Sequence, residues 1–422
     1  MSSQVTPVLP GAAQTRVSRS YLFTLGFAQF GIFAAILAPI FVSMAIKAEQ
    51  INPENPAAVV GSVLPVGALG ALVSNPIFGA LSDRTRTRWG RRRPWLLGGI
   101  VGLLAGLAWM GTAETVGELI ASWLFCQVAS NAASAALLAS FADNVPEAQR
   151  GRASGVLAVA QNVSILAGLY LAVYLQTDLA LLFLVPGVIG VVSVVVYVAV
   201  TRDRVPETPL PRMNLLEMAH TFWTNPLKFP DFGLAWWSRF LITLATYMFT
   251  TYRLIYMQDH LGLERSAAVA AQAQGVLYYT LALLVSAYLG GWLSDKLGRR
   301  KVFVMAATAL FAVGLVILAH ADSVAVFYAA EILMGFAYGV YGSVDNALTI
   351  AVLPDPEQPG KDLGVINMAQ ALPQSVAPGL GLLLLGVGAS GARADNYPLL
   401  LWGAGIVALV GVLVILPIRK VR

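Results

Sequence analysis

The sequence predicts an all-α membrane protein with twelve transmembrane helices in two pseudo-symmetric six-helix bundles, residues 1–201 and 234–422, joined by a linker at 202–233. Three observations carry this expectation. Hydrophobic residues make up 57% of the chain and charged residues only 12%, and the mean hydropathy is +0.71, outside the range of soluble proteins. Apolar runs of bilayer length recur along the whole chain. Two polar motifs in the first half return in the second.

A bilayer core of about 30 Å needs roughly 20 apolar residues in a helix. The first run, 20–46, follows a polar stretch and exceeds a signal-peptide core of roughly 7 to 15 residues, so it is expected to remain as a helix. The second, 58–82, ends in "SDRTRTRWGRRRP", which sets six arginines against one aspartate. The third, 94–113, carries "GGIVGLLAGLAWMG". No strand precedes it, so its glycines read as a close-packing face rather than a phosphate loop. The fourth, 117–142, holds Cys126, the only cysteine, which rules out an internal disulfide. Runs at 152–175 and 179–201 complete the first half. The proline-rich, mixed-charge segment that follows, with "TRDRVPETPLPRMN" and "TNPLKFPDF", reads as a linker. The second half has runs at 234–258, 266–293, 302–320, 323–349, 363–388 and 397–417.

Charge sets the expected orientation. With the N-terminus inside, the cytoplasmic segments hold 22 of the 27 Lys and Arg residues, as the positive-inside rule requires. The outer loops hold Lys47, Arg265 and Arg393, and both termini are expected in the cytoplasm. The net charge of +5 would suit a nucleic-acid binder only on a folded soluble surface, and no such domain remains. The arginine cluster reads as a membrane anchor facing anionic head groups. Trp123, Trp236, Trp237 and Trp402 are expected at the membrane interface.

"GALSD" before the arginines is matched by "GGWLSDKLGRRK" at 290–301, and Asp83 and Asp295 lie half a chain apart. "VPEAQRGRASGV" is matched by "LPDPEQPGKDLGV" at nearly the same offset. One six-helix unit is used twice. Parallel repeats of six spans are the architecture of alternating-access transporters with a midplane site.

The Gly-x-Leu-x-Asp-(Arg/Lys) string followed by Gly-Arg-(Arg/Lys), between spans two and three and again between eight and nine, resembles the signature loop of the major facilitator superfamily. The resemblance implies cytoplasmic charge networks that gate the transporter, built from Gly79, Asp83, Arg84 and Arg91 and from Gly291, Asp295, Lys296 and Arg299. The first copy has four extra residues between Asp83 and Gly90. In this it is similar to the sucrose and glycoside transporters and to the glycoside, pentoside and hexuronide cation symporters. "AQFGIFAAILAPIF" and "VASNAASAALLASFAD" also resemble the sucrose branch. There the matching places of a coupling aspartate and an arginine hold Gln127 and Leu138 in this chain, and the sodium-binding aspartates of the melibiose branch correspond to Ala71 and Asn75. The coupling ion therefore does not transfer from either branch.

Charges near the bilayer centre cost at least about 2.5 to 3.5 kcal/mol on insertion scales, so ionisable residues there are candidates for function. Four qualify: Arg239 and Arg253 on span seven, Glu331 and Asp345 on span ten. Arg239, Thr243, Thr246, Thr250 and Arg253 step by four and three into one stripe, and span ten has its own in Glu331, Met334, Tyr338, Tyr341 and Asp345. Antiparallel spans then predict two cross-helix pairs, Arg253 with Glu331 in the outer third and Arg239 with Asp345 in the inner third. Either acid is a candidate proton carrier, with Glu331 favoured because it is nearer the outer vestibule. The alternative is that the pairs are fixed struts.

Amides donate and accept, and aromatic faces suit the C–H surface of a sugar. Gln29, Gln127, Asn131, Gln161, Tyr247, Gln274, Tyr338, Tyr341 and Asn367 are the expected substrate ligands, with Asn162, Gln272, Tyr278 and Gln370 nearby. The expectation is a monomeric secondary transporter of the inner membrane that takes up a sugar or glycoside, with proton coupling. A drug or natural-product exporter and a non-transporting sensor on the same scaffold remain as alternatives. No cofactor, metal or catalytic site is expected: the three histidines sit at span ends or in loops, and no nucleophile has a nearby base.

Overall fold

The computed structural model describes residues 17–201, 203, 228–354, 359–388 and 396–419. Twelve helical segments span it: α1 Arg19–Ile51, α2 Pro56–Arg84, α3 Arg93–Thr112, α4 Val116–Asn144, α5 Glu147–Leu175 and α6 Leu179–Val200. After the linker come α7 Pro230–Asp259, α8 Arg265–Leu297, α9 Arg300–Ala319, α10 Val324–Ala351, α11 Pro359–Gly386 and α12 Tyr397–Ile415. The linker expected at 202–233 lies largely outside the described residues, and α7 starts four residues before the expected span.

Backbone polar groups in hydrocarbon must be satisfied within the chain, which is why every span is helical. The ends are set by local chemistry. Thr115 and Glu118 form a capping box at the start of α4, Asp178 and Asn396 accept from the first turns of α6 and α12, and Gly298 closes α8 in the left-handed conformation. Helix α1 is interrupted by a π turn over Pro39–Ser43, in which the Met44 N–H reaches back to the Pro39 carbonyl.

Eleven of the twelve are long and apolar enough to cross a membrane. The exception is α7, which the sequence reading counts as a span. Its 30 residues reach about 45 Å at 1.5 Å per residue, but Arg239, Arg253 and its threonine stripe lower its hydropathy. It sits among other helices, so these groups meet protein rather than lipid.

The two sets of six helices pair in the same pattern. Helix α4 packs on α2 and α3, α1 on α5 and α6, and α3 on α6; correspondingly α10 packs on α8 and α9, α7 on α11 and α12, and α9 on α12. Close approach needs small residues. At Gly335 of α10 an added Cβ would lie 2.2 Å from the Tyr279 carbonyl oxygen of α8, so only glycine lets these backbones meet. Helices α2 with α11 and α5 with α8 join the sets.

Trp123 departs from expectation. It is 1% exposed, packed against Gly67 of α2, because α4 is covered by α2 and α3; it is a core residue rather than an interface anchor. Trp237 and Trp402 are exposed, whereas the Trp236 indole donates to the Val365 carbonyl at 2.8 Å.

Candidate functional site: a polar chamber between two ion pairs

The end of the molecule carrying Arg84–Arg93 is termed the arginine end, and the opposite one the far end. Helix α7 runs from the arginine end to the far end and α10 runs back, which brings their polar stripes face to face. Near the arginine end Arg239 Nε lies 2.7 Å from Asp345 Oδ2, and its Nη2 donates to Asn346 Oδ1 at 2.9 Å. Tyr341 packs beside this pair, with its hydroxyl buried.

Fourteen residues on, about 21 Å along the helix, Arg253 Nε lies 3.2 Å from Glu331 Oε1. The angle does not make this a hydrogen bond. Both Glu331 oxygens are buried without a donor among the described residues, and the Arg253 guanidinium also lies 5.0 Å from the Phe249 ring centre. The two pairs therefore differ in kind: the first is hydrogen-bonded, and the second is held by charge alone.

Between the two levels lies a chamber of about 150 Å³. Thr243, Thr246, Tyr247, Thr250 and Arg253 of α7 form one wall, and Tyr279, Thr280 and Tyr338 form another. Asn162 of α5 and Gln370 of α11 reach in from opposite halves, and Phe41, Phe249 and Phe311 supply aromatic surface. Of the expected substrate ligands, Tyr247 and Tyr338 line it.

The others take different places. Asn131 accepts from Asn75 at 2.9 Å and donates to the Gln127 carbonyl at 2.8 Å, so this amide joins α2 to α4. The Gln127 side chain is buried against Gly67. Gln274 accepts from the Tyr170 hydroxyl at 3.3 Å across the halves. Gln29 and Gln161 are half-buried on α1 and α5, and Asn367 is exposed on α11. Thr243, Thr246, Thr250, Thr280, Asn162, Gln370 and Phe41 line the chamber instead, together with apolar Ile165, Val276 and Met334. The stripe of Thr243, Thr246 and Thr250 was legible from its spacing; that Asn162 rather than Gln161 faces inward depends on the rotation of α5.

At the arginine end the organising residue is Arg92, not the expected Arg91 alone. It is 3% exposed. Its Nη2 meets Asp83 at 2.5 Å, its Nε meets Asp143 at 3.0 Å and its Nη1 donates to Ser82 at 2.7 Å. Arg91 joins Asp143 at 2.7 Å. Arg84 donates to the Ala80 carbonyl of its own helix, and a Cβ at Gly79 would meet nothing within 4 Å.

Asp203 beyond α6 accepts from the backbone N–H groups of Arg92 and Arg93 at 2.6 and 3.0 Å, capping the α3 N-terminus. This cap requires Gly90, whose φ is +108° and whose Cβ would fall 2.2 Å from the Asp203 carboxylate. In the second half Arg300, not Arg299, meets Asp295, at 3.4 Å. Lys296 Nζ lies over the Trp292 ring, and Gly291 approaches Ser343. In both copies the second arginine after the glycine pairs with the motif aspartate, a regularity the spacing already contained. Among the described residues no acid takes the place of Asp143 in the second half, where Ala351 occupies the corresponding position, and the Arg300–Asp295 pair is longer and more exposed.

Segments are similar to an uncharacterized symporter of Synechocystis sp. (59% identity over 46 residues, 11% of this chain and 8% of that protein). Others are similar to the inner membrane symporter YicJ of Escherichia coli (43% over 56 residues, 13% and 12%) and to an uncharacterized transporter, YfiU, of Bacillus subtilis (31% over 111 residues, 26% and 21%). The matches thus span about a fifth or less of the length of these relatives.

Among solved structures, a point mutant of the nucleoside transporter NupG superposes with a TM-score of 0.74 at 9% identity, covering 94% of this chain and 99% of that one. A bacterial homologue of the human lysosomal transporter Spinster, in an inward-facing and unoccupied conformation, gives 0.69 at 15% identity over 96% and 98%. The family model of the Major Facilitator Superfamily matches residues 22–378 and 266–422. With a twofold helical pattern, a polar chamber between its halves and this match along its length, the chain belongs to the Major Facilitator Superfamily of multi-pass membrane transporters.

Proposed function

We propose that this transporter takes up a sugar or glycoside by alternating access, coupled to protons, with the arginine end in the cytoplasm. The observation that carries the reading is the chamber: small, shared by both halves, and lined by hydroxyls, amides and aromatic faces. Its threonine and tyrosine hydroxyls and the Asn162 and Gln370 amides can both donate to and accept from a polyhydroxylated substrate, which favours that class over an apolar exported drug. Glu331 and Asp345, each beside an arginine at a different depth of the second half, are the coupling candidates, since buried carboxylates facing a cavity within the membrane are the groups that carry protons in transporters. Relatives named as symporters support coupling. Among described residues, the hydrogen bonds and the ion pair that join the halves lie toward the far end, which supports an inward-open state.

The test is uptake by purified protein in liposomes, with a panel of mono- and disaccharides and imposed pH or sodium gradients. Sugar accumulation driven by a pH gradient and collapsed by a protonophore is expected. Glu331→Gln or Asp345→Asn should abolish accumulation while retaining sugar exchange. Accumulation that survives both substitutions overturns the coupling assignment, and drug efflux without sugar flux overturns the substrate class.

A further inference from the structure

The far-end contacts between the halves are unequal. Glu49 of α1 meets Arg265 of α8 at 3.0 Å, but both side chains are about a third or more exposed, and an exposed pair is worth little. Gln258 reaches Glu49 only at 3.4 Å, and Tyr170 reaches Gln274 at 3.3 Å. Gln272 is different. It is 0% exposed, and its Nε2 donates to the Phe41 carbonyl of α1 at 2.9 Å. The partner is a carbonyl oxygen, which only accepts, so the amide orientation is decided by chemistry. Phe41 lies inside the π turn Pro39–Ser43, where the extra residue loosens the regular backbone ladder and leaves a carbonyl able to accept from outside the helix. Phe41 also lines the chamber, so this bond ties a residue of the chamber wall to α8 of the other half.

The other half of the amide points the same way. Gln272 Oε1 is buried without a hydrogen-bond partner among the described residues, as is the Ser43 hydroxyl of the same π turn. A single buried donor bond holds the gate less firmly than a fully satisfied network would.

We infer that Gln272 is the positioning residue of the far-end gate: its amide grips the π turn of α1 by the Phe41 carbonyl, and this bond must break for the chamber to open at that end. The inference rests on the alternating-access reading above. It assigns the dominant far-end latch to a neutral buried amide rather than to the exposed Glu49–Arg265 ion pair.

The experiment uses a reporter cysteine in the chamber, Thr246→Cys, in the full chain. Cys126 is the only native cysteine and is buried, so background reaction is low. Whole cells are treated with a membrane-impermeant maleimide, and the alkylation rate reads the population open at the far end. Adding Gln272→Met, similar in volume but without a donor, is expected to raise the rate about fivefold, the equivalent of one net hydrogen bond. Glu49→Gln is expected to raise it less. An unchanged rate in Gln272→Met, or one no higher than in Glu49→Gln, overturns the inference. If Gln272→Met does not reach the membrane, Gln272→Asn, whose amide is one methylene too short, carries the same expectation. Rapid labelling of the parent itself would overturn the orientation proposed above and not the latch, which inverted vesicles then test by the same comparison.

Discussion

The Arg253–Glu331 pair offers a measurable consequence of burial. The Glu331 side chain is 0% exposed and that of Arg253 is 5% exposed, 3.2 Å apart. Removing one member of a buried pair leaves an uncompensated charge and costs about 3–5 kcal/mol, whereas replacing both with well-packed apolar groups is often neutral or stabilising by about 1–4 kcal/mol. Arg253→Met and Glu331→Met should therefore each destabilise strongly. The double variant should return to within about 1 kcal/mol of the parent or exceed it, because neither Glu331 oxygen loses a hydrogen bond. The resulting interaction energy of about 3 kcal/mol or more corresponds to at least a hundredfold in the unfolding equilibrium. The assay is a double-mutant cycle in detergent micelles, with each variant's stability taken from the midpoint and slope of denaturant unfolding. If the single losses simply add in the double variant, the two charges do not compensate one another and the reasoning fails.

Gly335→Ala should destabilise by about 1–3 kcal/mol, since its Cβ would press on the Tyr279 backbone, whereas Gly342→Ala, with open space around it, should be near neutral; thermal unfolding of the two side by side checks this. His260, just beyond α7 and stacked on Tyr256 at 5.1 Å, is held below the usual histidine value by burial. The unfolded chain therefore binds a proton first as pH falls through about 6.5, and stability should drop below that point; His260→Gln should flatten that part of a pH–stability profile, and an unchanged profile would contradict it.

The twelve spans, the doubling of a six-helix unit and the pairing of two arginines with two acids on antiparallel helices follow from composition and periodicity, because lipid permits only helices of one length and punishes unpaired charge. The motif spacing also held the equivalence of Arg92 and Arg300. Which amides face the chamber was decided by tertiary structure, since helix rotation turns Asn162 inward and leaves Gln161 aside, and helix contacts commit Asn131 to Asn75. The burial of Trp123, the cap that Asp203 places on α3 and the π turn that offers Phe41 to Gln272 arise from contacts between segments far apart in the chain. Local sequence carries the preference of a residue for a helix and for water or lipid; it does not carry which neighbour arrives on the other side, and in this protein that neighbour determines the chamber and its gates.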